Sequence, residues 1–248
     1  MTISPRVFLA VALLSAPALA QSTPQSETKG RCDLKNPPFA VIIDWLITGE
    51  KLELSEDLQK AEEGRADPQY RMGWRYECGI DVPRDYAEAV KWYRRAAEQG
   101  SVSALLTLAD LYYEGSGVRQ DYSEAEKWYR RSAEQGSAIG QHNLGLLYYQ
   151  GRGVPQDYAE AVKWYRKAAE QGDNLAQTKL GIAYYEGRGV PQDYVQAHMW
   201  ANLAAADSTG EEQKSYAMLR DEIAAKMTPE QLAEAQRLAR EWKPIPAK

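Results

Sequence analysis

Residues 151–171 read GRGVPQDYAEAVKWYRKAAEQ, and this stretch returns with few changes every 36 residues. Trp92, Trp128, Trp164 and Trp200 keep that step, as do Tyr86, Tyr122, Tyr158 and Tyr194, and Gly64, Gly100, Gly136 and Gly172. Gly151 and Gly153 can take positive φ and Pro155 cannot continue an α-helical ladder, so the stretch opens on a break. Asp157 then starts a helix. The D-x-x-E spacing of Asp157 and Glu160 is the carboxylate form of a capping box, and a cap is worth about 1 kcal/mol per helix. The same spacing recurs at Asp85/Glu88 and Asp121/Glu124, and with an amide at Asp193/Gln196. Tyr158, Ala161, Trp164, Tyr165 and Ala168 fall three and four apart, an apolar stripe on one helix side. Gly172 stands where a glycine ends a helix.

Residues 138–150, just before the quoted stretch, carry Gly140, Leu144, Gly145 and Tyr148 at the same spacings. They form a second helix with a seam of small residues that lets a neighbour come close. A pair of short helices cannot bury its own stripe, so units must stack on one another. Aromatics that recur at helical spacing in every unit read as core rather than as a cofactor box or sugar platform. The interleaved lysines and arginines read as a solvated outer face.

The pattern A-x-A-Q-x-x-L-G-x-x-Y-x-x-G-x-G-V-x-x-D-Y-x-x-A-x-x-W-Y-x-x-A-A resembles the Sel-one-like repeat (SLR) family, a 36-residue relative of the tetratricopeptide repeat. The match runs over residues 64–207. The resemblance implies an all-α, right-handed α-solenoid of helix-turn-helix repeats that serves as a non-catalytic adaptor or scaffold for other proteins.

Four repeats are expected, at 64–99, 100–135, 136–171 and 172–207. Pro68 stands near a helix start in the first, where Asp81 also replaces the second hinge glycine and makes that turn suspect. Arg119 replaces the proline of the second. The fourth drifts late: His198, Met199, Ala201 and Asn202 give a less charged helix, which predicts that another element covers it. That element is expected at 208–248, as capping helices over 211–227 and from Thr228. There Thr228-Pro229-Glu230-Gln231 supplies an N-cap, a first-turn proline and an amide three residues on.

Residues 1–20 read as a secretory signal: Arg6, an apolar run over 7–16 too short to span a bilayer, and Ala18-Leu19-Ala20 as the cleavage signature. The product is expected in the periplasm or outside the cell. Residues 21–38 read as a mobile lead-in, and 39–63 as a degenerate half-repeat covering the first interface, with Ser55 as the N-cap of a brief helix. The chain has 30 basic and 35 acidic side chains, a formal charge of −5 that argues against general nucleic-acid binding. No later apolar run reaches transmembrane length.

Cys32 and Cys78 are the two cysteines. In an exported protein they allow one intrachain bond, tying the lead-in to the end of a helix; free or intermolecular thiols are the alternative. The disulfide-rich branch of the resembled family carries a cysteine pair in each repeat. Those pairs are missing here, so that branch's penicillin-binding activity does not carry over. His142 and His198, the two histidines, have no ligand at metal spacing, and there is no phosphate loop, nucleophile elbow or zinc-protease motif. No cofactor, metal or catalytic residue is expected.

Solenoids bind on a face built from the same helix of each unit. Laid against one another, the four units vary most at their seventh, eighth and eleventh positions. These are Tyr70, Arg71 and Trp74; Leu106, Thr107 and Asp110; His142, Asn143 and Leu146; and Thr178, Lys179 and Ile182. We expect this strip to line the groove, with Tyr70, Arg71 and Trp74 as its anchor, because aromatics and arginine dominate binding hot spots. Arg71, Thr107, Asn143 and Lys179 are expected to be exposed, whereas Leu106, Leu146 and Ile182 read equally as packing between units. A peptide or segment of another envelope protein is the expected partner. Cell-wall glycan, contacted by a wall-remodelling accessory or enzyme, and a secreted host-contact role are the alternatives.

Overall fold

The computed structural model describes Cys32, residues 53–206 and residues 208–245. The expected signal, the lead-in apart from Cys32, and the half-repeat up to residue 52 lie outside the described residues. Among the described residues there are eleven helices and no strand. The chain divides at Ser132 into two compact parts.

The first part holds α1 (Leu54–Glu62), α2 (Ala66–Cys78), α3 (Tyr86–Glu98), α4 (Val102–Glu114) and most of α5 (Tyr122–Glu134). Asp85 starts α3 by accepting from the Ala87 and Glu88 amides at 2.9 and 3.0 Å, and Ser101 caps α4 from Ala104. The glutamates of the expected capping boxes turn outward instead. Glu88 pairs with Lys91 at 2.6 Å and Glu124 with Lys127 at 2.5 Å, because a lysine three residues on offers a full charge in water where the cap offers one amide. Ser55 is not the cap of α1 either: that position is Glu53, without a side-chain cap bond, so the helix relies on its contacts with α2.

Those contacts are Leu54, Leu58 and Ala61 against Met72, Tyr76 and Trp92, and the Asp57 carboxylate. Asp57, fully buried, accepts from Arg71 Nε at 2.7 Å and from Arg75 Nε and Nη2 at 3.0 and 2.9 Å. Cys32 and Cys78 are disulfide-bonded, with their Cα atoms 5.3 Å apart, so α1 lies inside a covalently closed loop that ends on the last residue of α2. The first hinge keeps its shape without glycine. Asp81 takes φ 59°, the sole positive-φ non-glycine among the described residues, and its carboxylate accepts from Arg75 Nη1 at 2.5 Å.

The second part runs from the last turn of α5 through α6 (Ala138–Gln150), α7 (Tyr158–Glu170), α8 (Asn174–Glu186), α9 (Tyr194–Ala206), α10 (Gly210–Ala224) and α11 (Pro229–Glu241). Asp157 caps α7 from the Glu160 amide at 2.9 Å, while Ser137 and Asp173 cap α6 and α8. Glu160 again turns outward, to Lys163 at 2.8 Å. The core is built from Val162, Tyr165, Leu180, Met199, Trp200 and Leu203, closed by Leu219 and Ile223 of α10 and Ala239 of α11. Tyr165 lies flat enough on α6 that a Cβ on Gly145 would stand 2.8 Å from its ring, which is why glycine sits there. Thr228 and Gln231 form a reciprocal cap at the start of α11, and Trp242 meets Trp200 edge-on at 6.3 Å. This tail is the cover that the weakly charged α9 called for.

His198 is buried on α9, facing Arg220 and Asp221 of α10, and burial pushes its pKa below 6.5. The folded state therefore prefers the neutral ring, and the unfolded chain binds more protons below pH 6.5. Stability of this end should fall as pH drops through that value, with a one-proton ceiling of about 1.4 kcal/mol per pH unit. Urea midpoints at pH 7.5 and 5.5, compared with those of His198→Gln, check this: the variant should lose that part of the slope.

Candidate binding face

The face expected to bind is made from the first helix of each pair: α2 and α4 in one part, α6 and α8 in the other. Glutamines and arginines hold each pair to the next. Gln69 donates to the Ala61 carbonyl at 3.0 Å, Gln141 to Ala133 at 3.2 Å and Gln177 to Ala169 at 3.3 Å, each satisfying a carbonyl at the open end of the preceding helix. Gln99 then donates to Gln69 and Gln171 to Gln141. Arg94 reaches the Tyr112 hydroxyl, and Arg166 reaches that of Tyr184 at 2.6 Å. The cations of Arg95, Arg131 and Lys167 lie over the rings of Trp92, Trp128 and Trp164. These positions are scaffold, and they leave the strip between them to vary.

In the first part the strip is largely used internally. Tyr70 is buried with its ring 5.3 Å from that of Tyr93, and Trp74 is buried beside them. Arg71 is 5 % exposed, not open to solvent as expected, because α1 lays Asp57 across it; burial lowers its pKa to about 10. Thr107 is also buried, at 6 %, and not open to solvent as expected. Leu106 and Asp110 remain half-buried, and Asp110 accepts the hydroxyl proton of Tyr129, whose pKa burial and that carboxylate raise. Glu77, fully buried, accepts from Tyr93 at 2.7 Å in the same way.

In the second part His142 is buried, with Nδ1 3.1 Å from Asp173 and its ring edge-on to Tyr165 at 5.9 Å. Leu146 and Ile182 are buried and pack between units. Thr178 is buried and donates to the Asn174 carbonyl. Asn143 and Lys179 occupy the same register on α6 and α8, and both are half-buried. Burial lowers the Lys179 pKa to about 8. At the other end of α6, Tyr149 accepts from Arg188 Nη1 at 2.9 Å. Helix α6 is thus fastened to the next repeat near both ends, and Asn143 and Leu146 lie between the fastenings. Sequence reading missed Asp57, Tyr129 and Asp173, and took Tyr165 as core. The carboxylates at the eleventh position of one unit and the fourteenth of another, each opposite a recurring tyrosine, were the available signal.

Among the described residues no cluster of three or more histidine, cysteine, aspartate or glutamate side chains fits a metal ion, and no helix is long and apolar enough to cross a membrane. A family model described as Sel1 repeat matches residues 69–101, 102–137, 138–173 and 174–208. Among solved structures, a Sel1 repeat protein from Oxalobacter formigenes is similar over 96% of this chain and 98% of its own, at 29% identity and a TM-score of 0.67. A protective antigen of uropathogenic Escherichia coli with an SLR fold is 44% identical over 65% of this chain, with a TM-score of 0.63. The matched part spans 35% of that antigen's length. No curated protein matches the chain. With four matched repeats, an all-helical architecture and those structural relatives, the chain belongs to the Sel1 repeat family.

Proposed function

We propose that this protein is a non-catalytic interaction module of the cell envelope that holds a peptide or protein segment along the first-helix face of its repeats, with α6 and α8 as the principal surface. The observation that carries the reading is the pair Asn143 and Lys179. The scaffold glutamines repeat around them, yet this register changes from repeat to repeat, and in α6 and α8 it stays half-buried where Arg71 and Thr107 are buried. An amide and a poorly solvated ammonium at one level suit the polar groups of an extended chain, whose hydrogen bonds strengthen where water is scarce. The leader-like first 20 residues support an exported location.

The test immobilises the chain from residue 21 onward and identifies by mass spectrometry what it captures from a periplasmic extract. One dominant protein is expected. Asn143→Ala with Lys179→Ala should reduce its capture at least tenfold, while Lys163→Ala, on the exposed side of α7, should leave capture unchanged. Capture of glycan alone, or equal losses in both variants, would overturn the reading.

A further inference from the structure

Among the described residues the exposed large apolar side chains are Val102, Ile139, Leu175, Met218 and Ile245. Two of them share a register. Ile139 on α6 is 57 % exposed and Leu175 on α8 is 48 % exposed, and both stand at the fourth position of their units. Asn143 and Lys179 follow one turn later. Side chains four apart lie on the same side of a helix, so each aliphatic group extends the face by about 6 Å beyond the half-buried polar position. The first two repeats carry Asp67 and Ser103 at the fourth position, and their eighth-position residues, Arg71 and Thr107, are buried. An exposed aliphatic group and a half-buried polar group therefore coincide in the third and fourth repeats, and in neither of the first two.

Ile139 also borders a shallow, open cleft. Its other walls are Gly136 and Ala138 at the start of α6, Gln171 just past α7, and Pro244 and Ile245 of the tail, and they are mostly apolar. The tail gives an internal example of how a chain lies along this edge. Beyond α11 it runs on without helix, and the Ile245 amide donates to the Glu170 carbonyl at 2.7 Å, one of the carbonyls that the end of α7 leaves open. The Ile245 side chain is left 57 % exposed at the lip of the cleft. We propose that this cleft takes a leucine or isoleucine side chain of the bound segment, two residues along from the part that meets Asn143. In an extended chain the side chains on one side recur every two residues, roughly 7 Å apart, which is close to the one-turn step from Asn143 to Ile139. The inference rests on the first-helix face being the binding face, and it adds the chemistry of the ligand: an extended segment with an aliphatic anchor beside a polar stretch. Seating the anchor removes Ile139 and Ile245 from water, which drives the contact.

The probes are acetyl-Ser-Gln-Leu-Gln-Ser amide and acetyl-Ser-Gln-Asn-Gln-Ser amide, titrated into the isotope-labelled chain from residue 21 onward and followed by amide NMR. The leucine peptide should shift the amides of residues 136–139, 171 and 245 to saturation, with a Kd at least tenfold below that of the asparagine peptide. Ile139→Ser combined with Ile245→Ser should weaken the leucine peptide at least tenfold at an unchanged melting temperature, because both side chains are more than half exposed. Met218→Ser, at an exposed apolar position on α10, should leave binding as it was. Equal affinity for the two peptides, no saturable shift, or wild-type binding by the Ile139/Ile245 variant would overturn the proposal. So would two other results. Tenfold tighter binding after removal of residues 246–248 would make the chain's own terminus the occupant, and self-association on sedimentation that Ile139→Ser abolishes would make it a second copy. Failure of the peptide test alongside lost capture by the Asn143/Lys179 variant would reject the cleft and leave the face standing. Unchanged capture by that variant would reject the face itself.

Discussion

Gly189→Ala should lower the unfolding free energy by roughly 2–5 kcal/mol, the sum of left-handed backbone strain and overpacking. Gly189 sits at φ 74°, and a Cβ there would run into the carbonyl oxygen of Tyr158 and stand 2.8 Å from the Ala159 amide nitrogen. Both obstacles are backbone at the start of α7, so no side chain can rotate away. Gly136→Ala separates the two causes. It has φ 93° but nothing within 4 Å of the added carbon, so it should cost only the backbone part, about 1–2 kcal/mol. Urea unfolding of the two variants measures the difference. Equal costs would mean that the hinge does not touch the preceding repeat as described.

Asp57→Ala should cost about 3–5 kcal/mol at the first repeat, because it leaves Arg71 and Arg75 facing a buried site without their carboxylate. Burial pushes the Asp57 carboxyl up and Arg75 pulls it back, the signature of a pair held together against desolvation. Since repeat arrays unfold in part, amide exchange over α1 and α2 is the proper readout, rather than a single global midpoint. Replacing all three groups at once, Asp57→Leu with Arg71→Met and Arg75→Met, should recover most of the loss, since an apolar substitute pays no desolvation. A single-variant loss below 1 kcal/mol would show that α1 is held by its apolar contacts and the disulfide alone.

The repeats were legible because each hinge, cap and stripe answers to residues within one unit. The spacing of Asp157, Trp164 and Gly172 is enough to place α7, and Gly145 announces the ring that crosses it. What escaped were pairings between segments that do not repeat. Arg71 looked like a groove anchor because it stands in a register that varies between units and because arginine is frequent in binding hot spots. It is instead satisfied by Asp57, which lies in the irregular region before the first repeat, where periodicity gives no register. The outward turn of Glu88, Glu124 and Glu160 was likewise hidden: a capping box and a lysine pair share the same spacing, and solvent decides between them. The tyrosine–carboxylate links bridge different positions in different repeats, so aligning the units conceals them.

Asp81 gives the array a direction of growth. Gly117 and Gly189 must lack side chains because each presses on the start of the second helix one repeat earlier, where a Cβ would meet backbone. The aspartate stands at the hinge of the first repeat, where the preceding helix, α1, starts at Leu54, four residues later in the 36-residue register than α3 and α7. Duplicating the third repeat would therefore lengthen the protein without redesign, whereas a copy of the first, inserted anywhere downstream, would jam against its neighbour.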